Sequence, residues 1–233
     1  MSLPYFYLPH YDGSEAILLD EPASRHMISV LRMEEGEQLH LTDGKGHLLR
    51  CTITDAHKKR AAVRVVEKRF EPPKTAAVTI AISLIKNVSR LEWFLEKATE
   101  VGVAEIIPLL CHRTEKQHFR YDRMQQILVS AMLQSQQVWL PVLQEPNVFS
   151  SLVQQSGFDQ KWIAHCLETD RRSLRLQGPA TGKQVLLIGP EGDFTPEEIE
   201  LAISNGYVPV TLGNARLRTE TAGLVGATLL CIS

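Results

Sequence analysis

Two glycine-containing segments near the C-terminus carry the residues best suited to chemistry. The first, at 189–193, reads Gly-Pro-Glu-Gly-Asp, and the second holds Arg216, Arg218 and Glu220 just before an apolar helix predicted at 222–232. Glycine lets the backbone approach a ligand closely because it has no Cβ. The start of a helix adds unpaired N–H groups and a place for fixed charge. These features predict two loops that close on one small molecule.

The first segment also has a purely structural interpretation. Gly189 and Gly192 would then only turn a strand into a helix, which starts with Thr195 as N-cap, Pro196 at N1 and Glu198 in a capping box. The presence of a second segment favours the ligand site. Open α/β sheets bind their ligands outside the carboxyl ends of the strands, where two such loops would meet.

The N-terminal part of the chain has the pattern of a small β-barrel. The pattern predicts a short helix at 23–31, a Gly-Lys-Gly turn at 44–46, and strands at 38–42, 48–54 and 61–66. Two adjacent prolines at 72–73 are typical of a linker. We therefore expect a first domain at 1–71 and a linker at 72–76.

After the linker, strands and helices alternate, which indicates an α/β domain with a mostly parallel sheet. The glycine spacing does not fit G-x-G-x-x-G, so an ordinary dinucleotide-binding fold is not favoured. A second domain is expected at 77–233. Its predicted strands lie at 78–84, 106–110, 162–166, 185–188 and 208–212, and its helices include 91–101, 121–138 and 222–232.

Length and composition indicate a globular protein. Of the 233 residues, 44% are hydrophobic and 22% are charged, and no apolar run approaches the roughly 20 residues of a membrane-spanning helix. The N-terminus lacks the pattern of a signal peptide. The four cysteines stand alone, without a C-x-x-C pair, so we expect neither a metal site nor a disulfide framework. The expected location is therefore the cytoplasm.

The net charge is −2, but the chain contains two basic stretches. Residues 45–70 contain eight lysines or arginines against two acids, which gives two interpretations: solvated surface charge, or contacts to an RNA backbone. The RNA interpretation is the more specific of the two. The second stretch comprises His112, Arg113, Lys116, His118, Arg120 and Arg123.

The two C-terminal segments resemble a known family. Residues 187–194 and 212–222 are similar to the motifs GPEG-x-F-[ST]-x-x-E and LG-x-x-x-LR-x-ETA of the ribosomal RNA uridine-N3 methyltransferases, the RsmE-type branch of the SPOUT superfamily. Asp193 departs from the pattern, where a second glycine is usual, and so does Asn87, where glycine is common. Similarity to the same family extends to two further regions of the chain. The first comprises Lys86, 91–102, 106–109 and Arg113, and the second comprises 24–26, 30–32 and 35–37.

This resemblance implies a fold, a reaction and partners. The fold would be a PUA-like RNA-binding domain followed by a SPOUT domain with a trefoil knot. The reaction would be methylation of N3 of a uridine in 16S ribosomal RNA within the 30S subunit, with S-adenosyl-L-methionine as the cofactor and no metal. SPOUT active sites lie beside a two-fold interface, which implies a homodimer. The apolar final helix suits one, because Gly223 and Gly226 form a strip that another helix could approach; alternatively, this helix packs only on its own sheet.

The resemblance also assigns three sets of site residues. Catalysis would use Arg218 as a cation that stabilises the uracil anion, with Glu220 or Glu191 as proton acceptor; alternatively, Arg218 is only an ion-pair partner of these glutamates. The cofactor would be held by the backbone of Leu187, Gly189, Gly192, Leu212 and Gly213 together with Leu217, and Glu191 would orient its polar groups; Pro190 and Thr219 complete this set. The RNA would be bound by Arg25, His26, Arg32, Lys86, Arg113, Gln134 and Ser135.

Two other functions remain open on the sequence. The chain could be a non-catalytic RNA-binding ribosome assembly factor that keeps the same fold. It could also be a nucleotide-binding hydrolase, although the absence of G-x-x-x-x-G-K-[ST] argues against a P-loop enzyme.

Overall fold

The computed structural model describes residues 3–115, 118–167, 171–176 and 182–232. These residues form two compact units. The first contains the chain up to Pro73 together with Met132–Leu140, and the second contains Lys74–Ala131 together with the chain from Pro141 onward. The segment Met132–Leu140 thus groups with the N-terminal unit, whereas the sequence pattern assigned it to 77–233.

The first unit is built on one five-stranded sheet. Inward-facing apolar residues alternate along its middle strands, which buries Leu39, Leu41, Leu49 and Ile53 together with Met27. The strand order is β1-β3-β4-β5-β2; β1 pairs parallel with β3, and the other pairs are antiparallel. The strands are β1 (Tyr5–Tyr7), β2 (Ala16–Leu18), β3 (Gln38–Thr42), β4 (His47–Asp55) and β5 (Ala62–Phe70).

The predicted helix at 23–31 exists but begins earlier. It is α1 (Glu21–Arg25), which continues into a π-helical turn at His26–Val30. Asp20 caps α1, since its side chain accepts a hydrogen bond from the backbone N–H of Ala23. The three predicted strands of this unit are confirmed as β3, β4 and β5, while β1 and β2 were not predicted.

The second unit has the α/β architecture and the parallel sheet that were predicted. Every pair among its described strands is parallel. The order is β11-β13-β10-β12-β6-β7-β8, with β9 also beside β7. The strands are β6 (Ala76–Ser83), β7 (Glu105–Leu110), β8 (Val142–Leu143), β9 (Asn147–Val148), β10 (Gln160–Ala164), β11 (Arg172–Ser173), β12 (Gly182–Ile188) and β13 (Val208–Thr211).

The predicted helices that follow β6 differ from prediction at their ends. The helices observed are α2 (Val88–Val101), α3 (Tyr121–Gln134), α4 (Phe149–Val153), α5 (Pro196–Ser204) and α6 (Thr219–Cys231). The short helix α4 was not predicted. Gly102 ends α2 with a left-handed φ of 89°, as its position predicted. Among the described residues, every helix is too short or too polar to span a bilayer.

Helix α3 ends at Gln134, so its predicted extent of 121–138 was wrong. Gln136 takes a left-handed φ of 56°. The backbone N–H groups of Gln136 and Gln137 bond back to the carbonyls of Leu133 and Met132, which closes the helix. The apolar spacing that continues beyond this point reflects burial in the N-terminal unit, not further helical turns.

Two glycines let α6 pack closely inside the second unit. A Cβ on Gly223 would lie 2.7 Å from Cε2 of Phe94 in α2 and 2.9 Å from Cδ1 of Ile82 in β6, and a Cβ on Gly226 would collide with Leu186 in β12. The small-residue strip is therefore filled by the chain's own residues. It is not available to a second copy, contrary to the use expected for it.

We expect Gly223→Ala to destabilise the second unit. Phe94 and Ile82 are completely buried and have no room to retreat, so the free energy of unfolding should fall by about 1–3 kcal/mol. Urea unfolding measures this loss. Thr221→Ala, on the same helix but half-buried, serves as the control and should change stability by less than about 0.5 kcal/mol. Equal stability of the two variants would contradict this account of the packing.

Candidate functional site

Three loops meet at the carboxyl edge of the parallel sheet. Ala164 at the end of β10 lies level with Ile188 of β12 and with Val210 of β13. The loops after β10 and β12 and the start of α6 surround a cavity of about 280 Å³. Its lining consists of Ala164, Cys166, Ile188, Gly189, Pro190, Glu191, Asp193, Arg216, Leu217, Arg218, Thr219 and Ala222.

The turn after β12 is tightly organised. The N–H of Asp193 bonds to the carbonyl of Pro190 at 2.9 Å, and Nη1 of Arg113 donates to the carbonyl of Gly192 at 2.6 Å. A Cβ on Gly189 would stand 3.1 Å from Cδ2 of the buried Phe194. Gly189 therefore serves the packing of the turn as well as lining the cavity.

The helix start that follows this turn was predicted correctly. Thr195 is the N-cap of α5, its side chain accepts from the N–H of Glu198, and the Glu198 side chain accepts from the N–H of Thr195. This capping box fixes where the turn ends. The structural interpretation of the segment is thus correct. Because the same segment also lines the cavity, this interpretation is compatible with the ligand-site interpretation.

The start of α6 brings positive charge and free N–H groups to the cavity. Arg218 is the N-cap residue, and its side chain makes no capping hydrogen bond. Arg216 and Arg218 are exposed on the cavity wall, and neither forms an ion pair with any carboxylate that the structure describes. A charged group with no described partner beside a cavity is available to a ligand.

Glu220 lies behind this wall in a buried position. Its side chain is 8% exposed, and Oε1 stands 3.7 Å from Nε of Arg90 on α2. The other oxygen, Oε2, has no hydrogen-bond partner among the described residues. Glu220 therefore pairs with Arg90, a residue that was not predicted, and Glu191 is the glutamate that lines the cavity.

The predicted cofactor residues divide into two groups. Gly189, Pro190, Glu191, Leu217 and Thr219 line the cavity together. The described lining does not include the others: Leu187, which is buried in the core, and Gly192, Leu212 and Gly213. Side chains alternate along β12, so Leu187 faces the core where Ile188 faces the cavity.

Two of the predicted RNA-binding residues belong to the second unit. Nζ of Lys86 is 2.8 Å from Oε2 of Glu115. This hydrogen bond raises the pKa of Lys86, and the negative charge of Glu191 adds to the effect. Arg113 is bonded to the Gly192 carbonyl, so it supports the turn directly.

The other predicted RNA-binding residues belong to the N-terminal unit. They are exposed or half-buried, and Arg25 forms an ion pair with Glu21 at 2.8 Å. Arg32 takes a left-handed φ of 57°. Lys116 of the second basic stretch lies outside the described residues. This set comprises Arg25, His26, Arg32, Gln134 and Ser135.

Sequence reasoning missed the wall formed by the loop after β10. Ala164 and Cys166 line the cavity, while His165 between them is buried, and burial lowers its pKa. The sequence predicted this strand, so the rule on carboxyl ends could have identified its last residues.

Cys166 is also an exposed thiol; by contrast, burial raises the pKa of Cys51 and Cys111 to about 12 and that of Cys231 to about 11.

Sequence comparison assigns both parts of the chain to known domains. Residues 72–231 match the RNA methyltransferase domain, and residues 19–66 match the RNA methyltransferase PUA domain. The chain belongs to the RNA methyltransferase family. The resemblance seen in the motifs is thereby confirmed. No described group of three or more His, Cys, Asp or Glu side chains is placed to hold a metal ion.

Similarity to individual proteins supports the same family assignment. The chain is similar to ribosomal RNA small subunit methyltransferase E of Synechocystis sp., with 33% identity over 225 residues covering 91% of this chain and 71% of the relative. It is similar to the crystal structure of a probable rRNA-methyltransferase from Porphyromonas gingivalis, at 35% identity and a TM-score of 0.89, covering 97% and 95% of the two chains. It is also similar to the Neisseria gonorrhoeae ribosomal RNA small subunit methyltransferase E bound to S-adenosyl methionine, at 28% identity and a TM-score of 0.87, covering 97% and 95%.

The pairing of Arg90 with Glu220 predicts coupled effects on stability. Arg90→Ala leaves a buried carboxylate without its cation and should lower the free energy of unfolding by about 1–2 kcal/mol, less than for a fully buried pair because Arg90 is partly exposed. The same change in a Glu220→Gln background should cost much less, because the neutral amide needs no cation. Urea unfolding of the four proteins in a double-mutant cycle measures this coupling. Equal costs in the two backgrounds would show that the two residues do not interact.

Proposed function

We propose that this protein transfers a methyl group from S-adenosyl-L-methionine to N3 of a uridine in 16S ribosomal RNA of the small subunit. One observation carries the proposal: the two motif segments, separated in the chain by residues 195–211, line a single cavity at the carboxyl edge of the sheet. The Neisseria gonorrhoeae relative, whose structure is bound to S-adenosyl methionine, has a closely similar fold. The Synechocystis relative carries the name of a small-subunit ribosomal RNA methyltransferase.

The cavity suits a cofactor that is apolar at one end and charged at the other. Ile188, Leu217 and Ala222 supply apolar surface for a base, while Glu191 and the uncapped start of α6 supply polar contacts. The backbone of Leu187, Gly192, Leu212 and Gly213 completes the proposed set around this lining. Bound S-adenosylmethionine supplies an electrophilic methyl group.

The residues at the cavity account for activation of the uridine. N3 carries a proton that must leave, and negative charge then spreads over the uracil ring. Arg218 is a permanent cation exposed on the cavity wall, so it stabilises this charge as it develops. Glu191 lines the same cavity and accepts the proton, while Glu220, held by Arg90, is the alternative acceptor.

The RNA is held by basic and amide side chains of both domains. We keep 1–71 as the RNA-binding domain, 72–76 as the linker and 77–233 as the methyltransferase domain. The cations bind phosphates, Gln134 reads the uracil edge, and the uridine enters the site flipped out of its helix. The substrate is the RNA within the 30S subunit, which places the protein in the cytoplasm. The proposed set is Arg25, His26, Arg32, Lys86, Arg113, Gln134 and Ser135.

We further propose a trefoil knot in the methyltransferase domain and a homodimer. The knot rests on family membership alone. For the dimer, the outer face of α6 supplies support, because Leu224, Val225 and Leu229 are only half-buried and Ile232 is 66% exposed. Helix α2 packs beside α6 and exposes Trp93. Apolar helix surface of this kind favours an isologous contact with a second copy.

Substitution of Arg218 tests the proposed chemistry. Arg218→Ala should lower kcat by about 100- to 1000-fold, the usual cost of a lost transition-state partner, while cofactor affinity changes by less than severalfold. Methylated uridine is measured by mass spectrometry on 30S particles from a strain that lacks the enzyme, and cofactor affinity is measured by calorimetry. Arg172→Ala, on the exposed edge strand β11, is the control and should keep full activity.

Two outcomes would contradict this account. Normal methylation by Arg218→Ala would remove the residue from the mechanism. Binding of 30S particles by the wild-type protein without S-adenosylmethionine binding or methyl transfer would favour the assembly factor over the enzyme. Binding of ATP in place of S-adenosylmethionine would favour the nucleotide hydrolase.

In the proposed homodimer, the N-terminal domain of one subunit presents Arg25 and Arg32 to the cofactor loops of the other. A mixing experiment tests this shared site. An Arg218→Ala subunit and an Arg25→Ala/Arg32→Ala subunit should each be inactive alone and should regain activity as heterodimers, because one site per dimer keeps all three arginines. Light scattering establishes the oligomeric state first. A 26.2 kDa monomer at micromolar concentration would exclude the dimer, and a dimer that fails to regain activity would show that each subunit works alone.

A further inference from the structure

Asp193 ends the turn after β12 in an unusual backbone conformation. Its φ is 64°, in the left-handed region, which only Arg32 and Gln136 share among the described residues other than glycine. Aspartate tolerates this region better than most side chains because its short carboxylate bonds to nearby backbone groups. An aspartate at position 193 therefore carries some conformational cost in this backbone.

Both carboxylate oxygens of Asp193 accept backbone hydrogen bonds. Oδ1 accepts from the N–H of Phe194 at 2.9 Å, inside the same turn. Oδ2 accepts from the N–H of Cys166 at 2.8 Å, in the loop that follows β10. A single side chain therefore joins two loops that lie 27 residues apart in the sequence.

The two joined loops both contribute to the cavity lining. Cys166 belongs to the loop after β10, and Gly189, Pro190, Glu191 and Asp193 belong to the turn after β12. On its other side the turn is bonded to Arg113 through the Gly192 carbonyl. The Asp193 carboxylate is the one described side chain that bonds the turn directly to the β10 loop.

We propose that Asp193 is a positioning residue that holds the two loops at the separation the cofactor requires. It acts through the Cys166 N–H and through the turn, without contacting the reacting atoms. A cavity that is already in its binding shape pays less ordering entropy when the ligand enters, so the two hydrogen bonds raise affinity without changing the chemical step. This inference rests on the proposed function, in which the cavity holds S-adenosylmethionine.

Three variants separate the side chain's hydrogen bonds from its backbone conformation. Asp193→Gly removes both hydrogen bonds and adopts the left-handed backbone without strain. Asp193→Asn keeps the shape but offers one acceptor oxygen, so it satisfies one of the two N–H groups. Glu200→Gln, which neutralises an exposed carboxylate on α5, is the control for the loss of one negative charge.

The expected results are graded. Calorimetry should give a dissociation constant for S-adenosylmethionine that is raised about tenfold or more in Asp193→Gly, less in Asp193→Asn, and unchanged in Glu200→Gln. The KM for the cofactor should rise in parallel, while kcat at saturating cofactor and the KM for 30S particles stay within about twofold. In the protein without ligand, amide hydrogen exchange at Cys166 should be faster in Asp193→Gly than in the wild type.

A second ligand distinguishes positioning from direct contact. S-adenosylhomocysteine lacks the sulfonium charge, so a positioning role should weaken both ligands by the same factor. A loss confined to S-adenosylmethionine would overturn the proposal in favour of a direct charge contact. Wild-type affinity in Asp193→Gly, or unchanged exchange at Cys166, would overturn it as well. If the wild-type protein binds neither ligand, the proposed function itself is wrong.

Discussion

Lateral alignment of β10 with β12 is the constraint on which the site depends. Parallel hydrogen bonding places Ala164 level with Ile188, so the loops that leave these strands open at the same edge of the sheet. Parallel neighbours cannot be joined by a tight turn, and the chain must cross over between them. The walls of the cavity therefore come from distant parts of the sequence. A shift of one residue in this register would place the Leu187 side chain on the cavity side of the sheet instead of that of Ile188.

The third wall depends on how closely α6 lies against the sheet. Thr219 and Ala222 reach the cavity from its first turn, and their depth is set by the contacts that Gly223 and Gly226 make with Phe94 and Leu186. The position of this cavity wall and the packing of the core are thus set by the same helix. The Arg90–Glu220 pair ties the first turn to α2, so α2 contributes to the site although it does not line the cavity.

Features governed by local chemistry could be predicted from the sequence. The capping box at Thr195 and Glu198, the end of α2 at Gly102 and the extent of β3 depend on neighbouring residues, and each was found as predicted. The short strands β1, β2, β8 and β9 have too few residues for a recognisable period and exist only through their partners. The end of α3 was misjudged because burial of Met132–Leu140 within the N-terminal unit gives the same apolar spacing as a helix.

Local sequence patterns were also insufficient to predict the whole site. The motif assigned the backbone of Leu187 to the cofactor, but it did not show that the Leu187 side chain belongs to the core, because neighbouring side chains along a strand point to opposite faces. The β10 loop carries no motif, and only the register of the sheet brings it to the cavity. The residues expected to hold RNA are spread over both units, and which of them meet the substrate depends on contacts that no local pattern encodes.

The distribution of the cysteines makes the cavity accessible to selective thiol labelling. Cys166 presents the one exposed thiol of the four, and it does so on the wall of the cavity, while Cys51 and Cys111 are buried. A thiol reagent follows thiolate character and exposure. Cys231 is only half-buried, and burial raises its pKa to about 11. A fluorophore or spin label attached under mild conditions would therefore react first at Cys166 and report from the cavity wall.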